Sequence, residues 1–299
     1  MELQTAVILL PSETLERIME ANFEKSQDNL KSGFTNLSNS RDVHIDPYGH
    51  KINARGGDDN ITTGDGRDTI FTGSGNDTVF AGGGDDTVTA GSGDDTVVGE
   101  EGNDTVFGGS GIDTLEGGIG NDTLNGGTGI DTLIGGSDHD VLNGGADNDF
   151  LFGDLDGEVI GGNDKLDGGF GDDTLEGGAG ADILTGGDDT DLFVFRVGRG
   201  PSNDSPLSGR DSITDFSRAQ GDRIDLSALD ALLNQSGDQR FTFLGTLSSA
   251  SSQAGSVSVV GTGADVTVFV NIDGGSADMA INVHLTNPSI PLSAVDFIL

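Results

Sequence analysis

Fifteen copies of one nine-residue phrase run from Ala54 to Val194. Written as a rule, each reads Gly-Gly-x-Gly-x-Asp-x-apolar-x. Gly117-Gly-Ile-Gly-Asn-Asp122-Thr-Leu-Asn125 and Gly168-Gly-Phe-Gly-Asp-Asp173-Thr-Leu-Glu176 are the clearest copies. A strict period of nine makes a repetitive, stacked architecture the first expectation. The sixth position carries Asp59, Asp68, Asp77, Asp86, Asp95, Asp104, Asp113, Asp122, Asp131, Asp140 and Asp149. One copy is then split: Gly153-Asp154 opens it, Gly162-Asn-Asp164-Lys-Leu166-Asp167 closes it, and Leu155 to Ile160 is inserted. The phase resumes at Asp173, Asp182 and Asp191. The eighth position is apolar in every copy, from Ile61 and Ile70 through Leu115, Leu124 and Leu133 to Leu184 and Phe193. A disordered Gly/Asp-rich linker would not keep that position apolar fifteen times.

Each copy has two halves. The first six positions are glycine-rich and suit tight turns, where positive φ is open to glycine without strain. The last three, such as Thr78-Val79-Phe80, favour a short strand. A single apolar side chain per strand cannot make a core. Stacked in a spiral, those side chains form a continuous internal ladder, and stability then comes from neighbour on neighbour.

The nonapeptide resembles the calcium-binding repeat of RTX proteins. That resemblance implies an all-β chain built on a parallel β-roll, with two nonapeptides per turn and loops eighteen residues apart stacked together. Asp77 would then face Asp95, and Asp122 would face Asp140. Facing carboxylates repel, and a hard divalent cation between them removes the repulsion. Ca²⁺ accepts six or more oxygens in flexible geometry, with glycine-loop carbonyls supplying the remainder, whereas Mg²⁺ prefers rigid octahedra and retained water. The absence of cysteine and the scarcity of histidine in the block argue against zinc and copper. All fifteen sixth-position aspartates, including Asp164 of the split copy, are therefore candidate ligands for multiple Ca²⁺ ions.

Charge agrees with this reading. Residues 54–194 hold 32 Asp plus Glu against Arg55, Arg67 and Lys165, a net of −29. Fifteen loops would give at most ~13 facing-pair sites of charge +2, enough to cancel most of that. Fewer are expected, because the insertion at 155–160 and loops such as Gly99-Glu-Glu-Gly102 should spoil some. With so thin a core and so much self-repulsion, the block should be largely disordered until cation binds.

The whole chain has a net charge of −37, which excludes attraction to nucleic-acid backbones and disfavours anionic lipid except through bound calcium. There is no cysteine, hence no disulfide framework. No apolar run is long enough to span a bilayer. The start, Met1 to Pro11, lacks the basic region of a Sec signal peptide. All six prolines lie outside the repeats, as a stacked sheet requires.

Three domains are expected: 1–53, 54–197 and 198–299. Ser12 is a plausible N-cap for a short amphipathic helix carrying Leu15, Ile18, Met19 and Phe23, either covering the open end of the roll or docking a partner. Residues 24–50 read as polar linker. Beyond Phe195, Leu226–Asn234 reads as a short helix. Strands are expected at Phe241–Phe243, Ser256–Val260, Val266–Ile272 and Ala280–Leu285.

Asp211-x-Ile-x-Asp215-Phe, Asp222-x-Ile-Asp225-Leu-Ser, Phe243-Leu-Gly245, Asn271-Ile-Asp273-Gly274 and the terminal Asp296-Phe-Ile-Leu299 resemble the C-terminal module of serralysin-type exoproteins. The resemblance implies a β-rich module that caps the roll and ends in a type I secretion signal. Asp211, Asp215, Asp222 and Asp225 are read either as turn residues or as metal ligands. His44, His50, His139 and His284 are read as surface or loop residues.

No His-Glu-x-x-His occurs, and no nucleophile elbow with triad partners. Ser74, Ser92 and Ser110 fall on repeat position three. The expectation is a non-enzymatic, secreted calcium-binding protein. It would leave the cell unfolded through a type I exporter, fold on calcium outside, and serve a structural, cell-surface or matrix role. The alternative is the non-catalytic RTX portion of a secreted hydrolase or epimerase of the serralysin, lipase or alginate-epimerase kind, or a cryptic member of that class. A cytolysin would need a long hydrophobic pore-forming region, which this sequence lacks.

Overall fold

The computed structural model describes residues 35–36, 43–45, 49, 51–154, 161–196, 209–229, 240–272 and 277–299. The expected helix after Ser12 lies outside them. Among the described residues two sheets face each other, one of fourteen strands and one of eleven; through the repeats they are parallel and successive strands alternate between them. Two nonapeptides therefore make one turn. Leu115 pairs with Leu133 in one sheet and Leu124 with Leu142 in the other, each a step of eighteen residues. Every eighth-position side chain, from Ile61 to Phe193, is fully buried between the sheets. This is the parallel β-roll that the repeat implies, and its core is one apolar side chain deep.

Glycine at the second position makes the stacking possible. Gly118 has φ +114°, and a Cβ there would strike the backbone carbonyl of Glu100 one turn below. At Gly118 the missing Cβ lets the turns approach this closely, whereas Arg55 and Glu100 hold the same position at φ +75° and +78°.

The six-residue insertion does not break the roll. Val141–Ala146 pairs in register with Lys165–Phe170, Leu142 against Leu166. A step of eighteen has become twenty-four.

The roll is longer at both ends than the nonapeptides. Thr35–Asn36 pairs with Lys51–Asn53, and Val43–Ile45 pairs with Asn60–Thr62, both parallel. Strands therefore occur within the stretch expected to be polar linker. Their strand signal is short: Val43 and Ile45 flank His44 without the glycine loop of the repeat. At the other end Ser212–Phe216 continues the larger sheet and Arg223–Asp225 the smaller one. Met279–Leu285 joins Ser212–Phe216 in parallel, and an antiparallel meander follows through Asp265–Asn271 and Ser256–Gly261, with Thr242–Leu247 at the edge. These four strands sit within a few residues of the expected ones. Leu226 to Leu229 forms a turn rather than a helix, closed by a bond from the Leu229 N–H to the Leu226 carbonyl. The remainder of that expected helix lies outside the described residues.

The last residues are built into the fold. Phe297–Ile298 pairs with Arg223–Asp225, and the Leu226 N–H donates to the Ile298 carbonyl. Phe297 packs on Phe243 with ring centroids 5.2 Å apart. Arg218 reaches Asp296 at 2.6 Å, the Pro291 carbonyl at 2.8 Å and the Ser293 hydroxyl at 2.9 Å. Among the described residues no helix is long and apolar enough to cross a membrane.

Candidate metal centres

The loop half of each repeat ends at its aspartate, whose side chain turns inward beneath the next turn. One oxygen sets the stacking. The Asp104 N–H donates to Asp122 Oδ1 at 2.7 Å, and the Asp122 N–H donates to Asp140 Oδ1 at 2.7 Å. The pattern holds across the split copy, with Asp140 N–H to Asp164 Oδ1 at 2.9 Å and Asp149 N–H to Asp173 Oδ1 at 2.7 Å. Two ladders result, one on each side of the roll. Asp59, Asp77, Asp95, Asp113, Asp131, Asp149, Asp173 and Asp191 form one. Asp68, Asp86, Asp104, Asp122, Asp140, Asp164 and Asp182 form the other. All fifteen expected aspartates are thereby brought together, and Asp77 meets Asp95 as Asp122 meets Asp140.

The other oxygen is the informative one. From Asp77 to Asp191, thirteen of these carboxylates hold Oδ2 buried with no hydrogen bond to it. Where these pKa values rise, burial is the main reason. It pushes Asp104, Asp122, Asp131 and Asp173 up to about 6, Asp86, Asp95 and Asp149 to about 7, and Asp140 and Asp191 to about 8. The backbone N–H bonds oppose that rise, while neighbouring carboxylates add to it in most of these positions, as Asp104 and Asp138 do at Asp122. A buried carboxylate oxygen without a donor is costly unless a cation compensates it.

Position one shows what shape of partner fits. A Cβ on Gly117 would fall against Asp122 Oδ2 and lie 2.6 Å from the Gly135 carbonyl oxygen of the next turn. Gly108, Gly126, Gly135 and Gly144 repeat this arrangement, each between its own aspartate Oδ2 and the next turn's carbonyl. Glycine thus leaves open a cradle bordered by one carboxylate and one carbonyl oxygen. Among the described residues no three acidic or histidine side chains converge into a ready-made cage. The remaining oxygens would have to come from the loop backbone. An all-oxygen, irregular donor set fits Ca²⁺ and not zinc.

The first five loops differ. Position one there is Ala54, Thr63, Thr72, Ala81 or Ala90, and all five are buried. Thr63 and Thr72 donate their hydroxyls to the Ala81 and Ala90 carbonyls at 2.5 and 2.6 Å. In those two loops the carbonyl left open elsewhere already has a donor.

Asp211 and Asp222 are extra rungs. They accept from the Asp182 and Asp191 N–H groups at 2.9 and 3.2 Å, as a sixth-position aspartate would. Asp222 also accepts from the Ser217 N–H at 2.7 Å, so both its oxygens are engaged in closing the end of the roll. Asp215 caps Gly186 and Gly187, and Asp225 accepts from the Ser227 N–H in a turn. The signal for the two rungs was present as Asp-x-Ile at Asp211 and Asp222, without the glycine loop that normally precedes it.

Sequence reasoning missed an outer ladder at position five. Asp85 Oδ1 accepts from Asn103, Asn103 Oδ1 from Asn121, Asn121 Oδ1 from His139, and His139 Nδ1 from the Asn163 N–H at 2.7 Å. His139 is thus an exposed loop residue with a stacking role. His284 is exposed on a strand and lies 2.7 Å from Asp265.

The family model for the RTX calcium-binding nonapeptide repeat, four copies long, matches residues 53–88, 80–115, 116–151 and 160–193. No curated protein matches the chain. Among solved structures, the AlgE6R3 subunit from the Azotobacter vinelandii mannuronan C5-epimerase is 30% identical, covering 55% of this chain and 80% of that one, with a TM-score of 0.37. The period, the paired aspartate ladders and the family match agree that residues 53–151 and 160–193 of this chain belong to the RTX calcium-binding nonapeptide repeat family.

Proposed function

We propose that this protein is a calcium-folded RTX exoprotein without catalytic activity of its own. The observation that carries this reading is the run of buried Oδ2 atoms from Asp77 to Asp191 that accept no hydrogen bond. The eight from Asp104 to Asp173 each have an open glycine cradle beside them. The fifteen sixth-position aspartates are the proposed ligand set, with multiple Ca²⁺ ions bound between successive loops. Thr63 and Thr72 weaken the sites in their own loops by occupying a carbonyl.

The ions would supply positive charge and oxygen-seeking coordination. The chain's own residues do the rest. Oδ1 atoms fix the register of the turns, glycines admit the close approach, and the apolar ladder excludes water. Calcium binding to the folded roll alone makes stability grow with calcium concentration. Such a chain stays unfolded where calcium is scarce and folds where it is abundant. This suits passage through a type I exporter followed by folding outside the cell. The proposed export signal is Asp296–Leu299, within a serralysin-like C-terminal region spanning 198–299. The proposed role is structural, at the cell surface or in a matrix.

Far-ultraviolet circular dichroism of chelated protein during a Ca²⁺ titration tests the reading, with Mg²⁺ as control. A cooperative coil-to-β transition specific to calcium is expected. A β-rich chelated protein indifferent to calcium would sink it. Export of a variant lacking Asp296–Leu299 tests the signal, and unchanged export would remove it.

A further inference from the structure

We propose that the split repeat holds the tightest calcium site of the array, with Asp154 as a buried carboxylate additional to the sixth-position aspartates; this rests on the calcium reading above. In the split copy Gly153 and Asp154 occupy positions one and two, and Gly161 to Asp164 occupy positions three to six. Position two, glycine in most copies and Arg55 or Glu100 in two others, is therefore an aspartate at the mouth of this loop.

The ordinary cradle is intact here. A Cβ on Gly153 would fall against Asp164 Oδ2 and the Gly177 carbonyl of the next turn. Asp164 is 1% exposed, and its Oδ2 accepts no hydrogen bond. Asp154 is 7% exposed and faces the same gap between turns: its Oδ2 accepts from the Ala179 N–H at 2.8 Å, and its Oδ1 from the Gly162 N–H at 3.4 Å. A Cβ on Gly178 would lie 2.7 Å from Asp154 Oδ2. Asp154 thus adds a buried carboxylate to a gap that other turns border with their sixth-position aspartates alone.

Burial pushes Asp164 up to about 9, with Asp182, Asp154 and Asp140 adding charge repulsion. Calcium affinity in oxygen sites increases with the number of charged ligands. The loop whose gap is bordered by the added buried carboxylate of Asp154 is accordingly the one to fill first and empty last.

The experiment is a calcium titration of the full-length protein in competition with a chromophoric chelator, comparing wild type, Asp154→Asn and Asp122→Asn. Asp154→Asn keeps an oxygen for the Ala179 N–H but removes the charge. Wild type should show one ion held at least tenfold more tightly than the rest. Asp154→Asn should merge that ion into the bulk class, while Asp122→Asn should lower the bulk class and leave the tight ion. Superimposable wild-type and Asp154→Asn titrations would overturn the proposal and leave the array reading standing. A wild type that binds no calcium would overturn both. Should Asp154→Asn fail to form the roll at saturating calcium by circular dichroism, Asp154 serves to hold Ala179 and the proposal is likewise overturned.

Discussion

Replacing Asp122 by asparagine should stabilise the roll without calcium and weaken it with calcium. Asp122 is 1% exposed, with its Oδ1 taken by the Asp104 N–H and its Oδ2 buried without a donor. Burial raises its carboxyl from 3.8 to about 6. A rise of that size means that the ionised form costs the metal-free roll about 3 kcal/mol at pH 8, at roughly 1.4 kcal/mol per pKa unit. Asparagine keeps the oxygen that accepts from Asp104. It removes the charge and can turn its amide toward the Gly135 carbonyl that borders the same cradle. Chelated variant should therefore fold at a lower concentration of a stabilising osmolyte, by an amount corresponding to up to about 3 kcal/mol. With calcium the sign reverses, because an anionic ligand is gone. The calcium midpoint should rise by at least the roughly 10–100-fold that loss of a supporting group costs a metal site. Osmolyte-induced folding in chelator and urea unfolding in millimolar calcium, both followed by circular dichroism, measure the two arms. A variant weaker in both conditions, or unchanged in both, would refute the assignment of Oδ2 to a cation.

Acidification should act in the same direction as that substitution. The ladder pKa values with stated numbers are raised above 3.8 to between about 6 and about 9. The folded chain therefore takes up more protons than the unfolded one, and the stability this lends the metal-free roll is complete below about 4 and lost as pH rises through 6 to 9. Chelated protein should gain β signal on going from pH 9 to pH 5, whereas calcium affinity should fall over the same range as protons compete. Loss of β signal on acidification in chelator would contradict this. Gly118→Ala places a Cβ at φ +114° against the Glu100 carbonyl and should cost on the order of 1–3 kcal/mol or more with or without calcium. Gly117→Ala, whose Cβ meets the cradle instead, should act mainly through the calcium midpoint; equal effects from the two glycines would blur loop and cradle into one role. Leu124→Ala opens the core between Val106 and Leu142 and should lower stability in calcium by about 2–5 kcal/mol in urea unfolding. Arg218→Ala leaves Asp296 buried without its cation and should cost about 3–5 kcal/mol locally, read as faster hydrogen exchange at Phe297 and Ile298. Protection of those two amides at the wild-type level would show that the strand docks without the ion pair.

Much of this was legible because the period fixes both faces at once. One apolar residue in nine defines the core, and one aspartate in nine defines the stacked carboxylates. The end of the roll was less legible because the chain changes its loop and keeps its rung. Asp211 and Asp222 retain the Asp-x-Ile strand entry but reach it through residues other than the glycine loop. The insertion was expected to spoil a site. The aspartate ladder continues past it, because the bond from the Asp140 N–H to Asp164 Oδ1 needs only the two aspartates to stack. The C-terminal strands were found by their alternation. Their order could not be, since the parallel pairing of Phe297–Ile298 with Arg223–Asp225 joins segments more than seventy residues apart.

The two oxygens of each ladder aspartate explain why folding and cation binding should be one event. Oδ1 ties a turn to the one before it, and this bond exists only when both turns are formed. Oδ2 carries the charge that opposes the same stacking. Without a cation each added nonapeptide gains one register bond and one buried apolar side chain, and buries another charge alongside the last. With a cation between turns the repulsion becomes a link. In a solenoid each unit is stabilised chiefly by its neighbours, so a ligand that acts between units strengthens the coupling term rather than the unit itself. The transition should therefore sharpen as calcium rises. The split copy would then matter beyond its own ion, because a tight link in the middle of the array lends order to the turns on both sides.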